Sequence, residues 1–362
     1  MTTTTVTESD NSKQQRRWPK AAMLAVVFVA IAELGMRSLP LESVIRTDMG
    51  TTEYLAVRAA IQSDMTRDFV FAGSSRVLQG IVLEDFSSSL HERAPGDWRV
   101  GSYAINGALS AETLAVLDFM LEHPEHQPRV IAWGLTIDEI RGEELVTDRS
   151  MLFYPLEKYR TERKQLGAVV APYRSDAIRT ELSEYSLLYR YHFLPVIYIK
   201  DFGRNPQPRA FLGESFGRHT ADEGVLEDTE ELRERIRDRY RDWHFYEADY
   251  QFSEAKLERI RALLRKCREK DVQVCLFEVP NAPPFDIELP PRLHTMIKQT
   301  LTELAAETGI PVVWVKDLGV EFHTSDFYDT VHLNFEGAKR LTLALADHIP
   351  EAVTEHLIQT AR

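Results

Sequence analysis

The chain has 362 residues, 44% of them hydrophobic, and its 43 Lys plus Arg against 56 Asp plus Glu leave a net charge of −13. This excludes a disordered protein and leaves room for one large domain with an insertion or for two modest domains, which run roughly 100 to 200 residues each. The acidic surplus, with no long basic stripe, also speaks against nucleic acid as a partner, because phosphate binding needs clustered Lys and Arg.

Residues 1–17 open on a Thr-rich polar stretch with too few apolar side chains to offset the entropy of folding, so a disordered cytoplasmic tail is expected there. Lys13, Arg16, Arg17 and Lys20 then precede an uncharged apolar run from Ala21 to Ala32. A positive flank before an apolar segment marks an export signal, since that flank stays in the cytoplasm. We expect an uncleaved signal anchor over residues 18–40, a single transmembrane helix with the C-terminal domain on the periplasmic or extracellular side. Trp18 suits one interface, Lys20 can snorkel, and Leu34 to Met36 extend the run past Glu33 to Arg37. Two alternatives stay open. The run is short of the ~20 residues that span a bilayer and Ala30-Ile31-Ala32 has the spacing of a cleavage site, which suits a cleaved signal peptide. A buried amphipathic helix is the other, although such helices rarely carry so one-sided a basic flank.

Five apolar runs rich in β-branched and aromatic residues follow, at 68–72, 98–105, 129–134, 272–279 and 311–315, with helical patterns between them. Strands separated by helices need crossover connections, so the pattern predicts a mainly parallel five-stranded sheet in a three-layer, flavodoxin-like α/β domain over residues 65–350. Helices are expected at 111–122, 253–269, 291–307 and 335–348, the last N-capped by Asn334 with Ala338, Leu341 and Leu345 on one face. Residues 141–250, between the third and fourth strands, far exceed an ordinary connection and read as a helical insertion. It holds a charge-laced segment around Glu230 to Arg241 and a looser aromatic stretch, Trp243 to Phe252. The insertion reads either as a solvated rim element or as a lid or polymer-binding surface. Cys267, in a charged helical stretch, and Cys275, in an apolar run, are too few for a disulfide scaffold or a Cys-based zinc site and read as small hydrophobes.

Reactive groups of an open parallel sheet gather beyond the carboxyl ends of its strands. There the first run leads into Gly73-Ser74-Ser75-Arg76, the kind of turn that exposes a nucleophilic hydroxyl and aims neighbouring N–H groups at an oxyanion, though Gly-Ser-Ser is also common turn chemistry. After the last run comes Asp329-Thr330-Val331-His332-Leu333-Asn334, whose spacing lets Asp329 orient one ring nitrogen of His332 while the other takes a proton. Either feature alone is weak, and their coincidence at strand ends of one sheet points to nucleophilic catalysis. Arg76 is a candidate holder of an anionic substrate group, or else pairs with a loop carboxylate. Asp138 reads as a cap or turn residue, and His123 and His126, spaced by Pro124 and Glu125, read as solvated rather than metal-binding, so no metal site is expected.

These blocks resemble those of the SGNH/GDSL-type serine hydrolases. The resemblance covers roughly residues 68–138 and 272–348, and implies Ser75 as nucleophile, His332 as base and Asp329 as orienting acid. Asn106-Gly107-Ala108 is similar to the block that supplies a glycine N–H to the oxyanion hole, which implies Ser75, Gly107 and Asn106 there. The chain departs from the pattern at Ser74, where the family has Asp, at Arg76, where it has Leu, and at Gly134-Leu135-Thr136-Ile137-Asp138, where Thr136 replaces the oxyanion-hole Asn. Losing one such donor costs about 10² to 10³ in rate unless Thr136, Asn106 or the substrate replaces it.

A Gly-Ser-Ser block behind an anchor is more similar to the branch with the D-alanine transfer proteins of teichoic-acid synthesis and the alginate O-acetyltransferases. That implies an exported serine esterase or O-acyltransferase acting on acylated glycans or other esters of the cell envelope, with a membrane-bound acyltransferase as partner and no cofactor. The rival expectations are a non-catalytic component of a polysaccharide assembly, a plain carboxylesterase, and an intracellular hydrolase.

Overall fold

The computed structural model describes residues 17–38, 57–58, 60–61, 67–93, 96–141, 150, 153, 186–190 and 224–360. In chain order these form α1 (Arg17–Ser38), β1 (Phe69–Ala72), α2 (Ser75–Gly80), α3 (Leu83–Arg93), β2 (Val100–Ser102), α4 (Ser110–Leu121), β3 (Val130–Leu135), α5 (Ile137–Ile140), α6 (Leu187–Arg190), α7 (Glu230–Asp242), α8 (Glu254–Glu269), β4 (Gln273–Glu278), α9 (Pro283–Glu288), α10 (Pro291–Thr308), β5 (Val312–Val313) and α11 (Phe335–Thr360). The chain divides into two compact units: α1 and α6 belong to one, and all the other elements to the second.

In the second unit the five strands are parallel throughout, in the order β2-β1-β3-β4-β5. Their sequences, FVFA in β1 and VIAWGL in β3 among them, are nearly continuous apolar runs, as strands covered on both faces require. Alternation divides the faces. Phe69, Phe71, Val130, Ala132, Cys275 and Phe277 share a core with Val77 of α2, Phe86 and Leu90 of α3, and Ala338, Leu341 and Leu345 of α11. Val70, Ala72, Ile131, Trp133, Val274 and Leu276 point to the other side, where α8 packs on β4, α4 and α10. The result is three layers. Burial pushes the thiols of Cys267 and Cys275 up to about 12, so both stay neutral packing groups.

Two boundaries differ from the sequence expectation. Only Val100–Ser102 of the run 98–105 is strand, although Tyr103 N–H still donates to Phe71 O at 2.8 Å and Ile105 N–H to Gly73 O at 3.0 Å. The last helix runs past 348 and through Pro350, because Ile349 and Val353 are buried in the core and that burial outweighs the missing N–H.

In the first unit, Glu33 of α1 accepts from Ser186 Oγ (2.8 Å) and Leu188 N–H (3.1 Å), joining α6 to α1. Met23, Leu24, Val26, Phe28, Val29 and Ile31 of α1 are exposed. Among the described residues, no helix is long and apolar enough to cross a membrane. Apart from Arg17, the expected tail lies outside the described residues, as does most of the expected insertion before residue 224.

Candidate active site

Gly73 ends β1 at φ +145°, a backbone region that L side chains rarely adopt. A Cβ there would come within 2.5 Å of Val77 Cγ2, and one on Gly134 within 2.4 Å of the same atom. Two missing side chains therefore let Val77, and with it α2, settle against the sheet. The carbonyl of Ser74 accepts from Val77 N–H (3.1 Å) and Leu78 N–H (3.0 Å), so α2 starts at Ser75. The Ser74 side chain is buried and Ser75 is half-buried at the carboxyl edge of the sheet.

The second block is a closed reversal. Phe327 and Leu333 form an antiparallel bridge, and Tyr328 N–H donates to His332 O at 3.1 Å. Inside it Asp329 Oδ1 accepts from the N–H groups of Val331 and His332, each at 2.8 Å. Asp329 Oδ2 lies 2.7 Å from His332 Nδ1, and His332 Nε2 lies 2.8 Å from Ser75 Oγ. A carboxylate can only accept, so in the neutral ring Nδ1 carries the proton and Nε2 accepts from the serine hydroxyl. Burial pushes the Asp329 carboxyl up, but the hydrogen bond and charge of His332 and the two backbone N–H groups outweigh it and hold it below its ordinary value.

Buried Asp326 ties this reversal to α11. Its carboxylate accepts from Arg340 Nη1 at 2.8 Å and from His323 N–H at 2.7 Å, and its carbonyl accepts from Asn334 N–H at 2.9 Å. Asn334 caps α11 as expected, its Oδ1 accepting from Gly337 N–H at 3.1 Å.

Asn106 and Gly107 form an exposed turn, Gly107 at φ +67°. The bond from Ile105 N–H to Gly73 O holds that turn beside the start of α2. Thr136 ends β3 and opens α5, the turn that contains Asp138; its N–H donates to the Glu139 carboxylate at 3.1 Å, and its Oγ1 is buried without a hydrogen-bond partner. Arg76 is buried, donates to Asn281 Oδ1, and lies 5.5 Å from the centre of the Phe285 ring. Asn281 in turn donates to Asp286 Oδ1 at 2.8 Å, so Arg76 reaches that carboxylate through an amide. Burial pushes the Asp286 carboxyl up, against the opposing pull of Asn281, His294 and Arg76. His123 Nδ1 lies 2.8 Å from Phe119 O, and among the described residues no cluster suits a metal ion.

Several neighbours of the site were not singled out from sequence. Tyr328 stacks on His332 and donates to Gln79 Oε1. Gln79 stands four residues after Ser75, a signal readable only once α2 is known to be a helix. Arg239 of α7 donates to Thr330 Oγ1 at 3.4 Å, a contact no local pattern predicts.

No family model and no curated protein matches the chain. Among solved structures it is similar to a candidate acylhydrolase from Bacteroides fragilis, with 12% identity over 81% of this chain and 88% of that one and a TM-score of 0.35. It is likewise similar to a GDSL-like lipase from Bacteroides thetaiotaomicron, with 12% identity over 83% of this chain and 98% of the other and a TM-score of 0.38. At that level of likeness, the chemistry has to come from the residues of this chain.

Proposed function

We propose that the protein is an SGNH-type serine esterase or O-acyltransferase that forms an acyl-enzyme on Ser75. The observation that carries this reading is the continuous line from Asp329 through His332 to Ser75, with contacts of 2.7 and 2.8 Å. Ser75 Oγ attacks the acyl carbonyl carbon while His332 Nε2 takes the hydroxyl proton. Asp329 holds the resulting imidazolium, and the N–H groups of Ser75 and Gly107, with Asn106, face the oxyanion. The ester C–O bond then breaks and His332 returns its proton to the departing alcohol. Water or a sugar hydroxyl attacks the acyl-serine with His332 again as base, which regenerates Ser75. Each step balances with no metal or organic cofactor.

A fluorophosphonate probe tests the assignment. Ser75→Ala should abolish labelling and Ser74→Ala should retain it; the reverse pattern moves the nucleophile to Ser74.

On this reading the substrates are acylated glycans or other esters of the cell envelope, and a membrane-bound acyltransferase is a natural donor of acyl groups. The exposed apolar side chains of α1 and the basic flank before them support an anchor with the catalytic unit on the periplasmic or extracellular side. A topology reporter fused to the C-terminus would be active only outside the cytoplasm if that is right. Thr136 in place of the family's Asn, the export signal and the long Arg- and aromatic-containing insertion together support transfer over hydrolysis, since an acceptor held by the insertion can reach an effective molarity above that of water. If the protein cleaves small acetyl esters rapidly and added glycan neither accepts the acyl group nor slows cleavage, it is a plain carboxylesterase. If Ser75 takes no label in the folded protein, a non-catalytic role in polysaccharide assembly replaces catalysis.

A further inference from the structure

The turn after β4 meets both halves of the candidate site. Asn281 Oδ1 accepts from the guanidinium of Arg76, the residue that follows Ser75 on α2. The next residue of the turn, Ala282, donates its N–H at 3.2 Å to the carbonyl of Thr330, which stands between Asp329 and His332. Neighbouring residues of one turn therefore grip the helix of the serine and the reversal that carries the imidazole. The grip has a direction. Asn281 Nδ2 donates to Asp286 Oδ1 at 2.8 Å, so the amide turns its N–H side to that carboxylate and its oxygen to Arg76. Arg76 is 3% exposed, and its Cζ lies 5.5 Å from the centre of the Phe285 ring on α9, the helix that Ala282 opens. A buried guanidinium gives up an acceptor only at the cost of a poorly solvated charge, and Ala282 is itself fully buried, so neither end of the grip yields easily.

We infer that Arg76 and Asn281 are positioning residues: with Ala282 they form a clamp that sets the distance from Ser75 Oγ to His332 Nε2. Arg76 thus serves α2 rather than an anion on the substrate. The clamp rests on the acyl-enzyme reading for its effect on rate, whereas the geometry it sets is readable without turnover.

Two measurements on the full chain test it. In nitrogen NMR spectra of histidine-labelled protein, the His332 Nε2 resonance, identified by its loss in His332→Gln, reports whether that nitrogen accepts from Ser75. Asn281→Ala should move it toward its position in Ser75→Ala. In steady-state cleavage of p-nitrophenyl acetate, Asn281→Ala should lower kcat about tenfold and leave KM within about twofold, because a displaced base weakens the transition state more than ground-state binding. Asn281→Asp sets two carboxylates side by side and should lose as much. The exchange of Asn281→Asp with Asp286→Asn restores a donor facing an acceptor at unchanged net charge and keeps an acceptor for Arg76, so kcat should return to within about threefold of wild type. If Asn281→Ala does not fold, Asn281→Asp and the exchange variant decide between them. An unmoved Nε2 resonance in folded Asn281→Ala, a loss carried by KM instead of kcat, or an exchange variant that melts like the wild type and stays as slow as Asn281→Asp overturns the clamp. A wild type that cleaves no ester and takes no serine label, while Asn281→Ala still moves the resonance, sinks the acyl-enzyme reading and leaves the clamp standing.

Discussion

Tyr328 lies flat against His332, with ring centroids 5.5 Å apart and planes within 9°. Its hydroxyl donates to Gln79 Oε1, on the helix that begins at Ser75. His332 and Ser75 are thus joined twice, once by their own hydrogen bond and once through this tyrosine, which fixes the height of the imidazole over α2.

Tyr328 should therefore act as a positioning residue. Tyr328→Leu removes both the stack and the bond to Gln79, and should lower kcat for p-nitrophenyl acetate about tenfold with little change in KM, since misplacement of a base affects the transition state more than binding. Tyr328→Phe keeps the stack and should lose less. Steady-state kinetics of the two variants separate these outcomes; equal losses would assign the whole effect to the hydroxyl.

Asp329→Asn should slow serine labelling by about 10³ or more, because an amide N–H facing Nδ1 favours the wrong tautomer. Its effect on stability follows from the depressed carboxyl. A carboxyl held low when folded contributes stability above its unfolded pKa and loses it as pH falls through the folded value. Wild type should exceed Asp329→Asn in denaturant midpoint at neutral pH, and the gap should begin to narrow below the ordinary 3.8 and close as the pH falls through the lower folded value.

Glu278, at the carboxyl end of β4, carries the opposite sign. Burial pushes it up, against the pull of Val315 N–H, which it accepts at 2.9 Å. A carboxyl raised by folding binds more protons when folded, so stability declines as pH rises from its ordinary 4.5 through the folded value. Glu278→Gln retains an acceptor for Val315 and removes that decline. Its thermal midpoint should vary less between pH 4.5 and neutrality than that of the wild type.

Gly134→Ala should cost about 1–3 kcal/mol, the range for overpacking a filled core. The new methyl would lie within 2.4 Å of Val77, 2.8 Å of Phe277 and 2.9 Å of Val279, none of which can withdraw from the core. A thermal melt measures the cost, and serine labelling should fall with it because Val77 belongs to α2.

The sheet was legible in the sequence because parallel strands covered on both faces leave a simple mark, a short apolar run such as VIAWGL between helical patterns. The three residues Ser75, His332 and Asp329 could be singled out because each belongs to a short block whose spacing has a chemical meaning. Helix α2 was missed since six residues with only Val77, Leu78 and a glycine are too few to display a period. The Arg76, Asn281 and Asp286 relay and the Arg239 to Thr330 contact join residues 205 and 91 positions apart, and no local pattern encodes such pairings. The stretch after Trp243 looked loose for a similar reason. Its Phe245 is fully buried through ring contacts with Tyr240, which itself donates to Phe285 O at 2.7 Å, a partner that only the fold supplies.

Ser75 and His332 are 257 residues apart, whereas His332 and Asp329 are separated by only 3. Asp329 and His332 meet within one local reversal, so bringing them to Ser75 comes down to a single very long loop closure. That closure has to wait for α11 to dock against α2 and α3, and hence for β4 and β5 to complete the surface beneath it. Contacts of such long range form late and slow the search for the native state. Nucleophilicity at Ser75 should therefore emerge with the slowest phase of refolding, which makes covalent labelling of this serine a clock for completed folding in chains that already have native helix content.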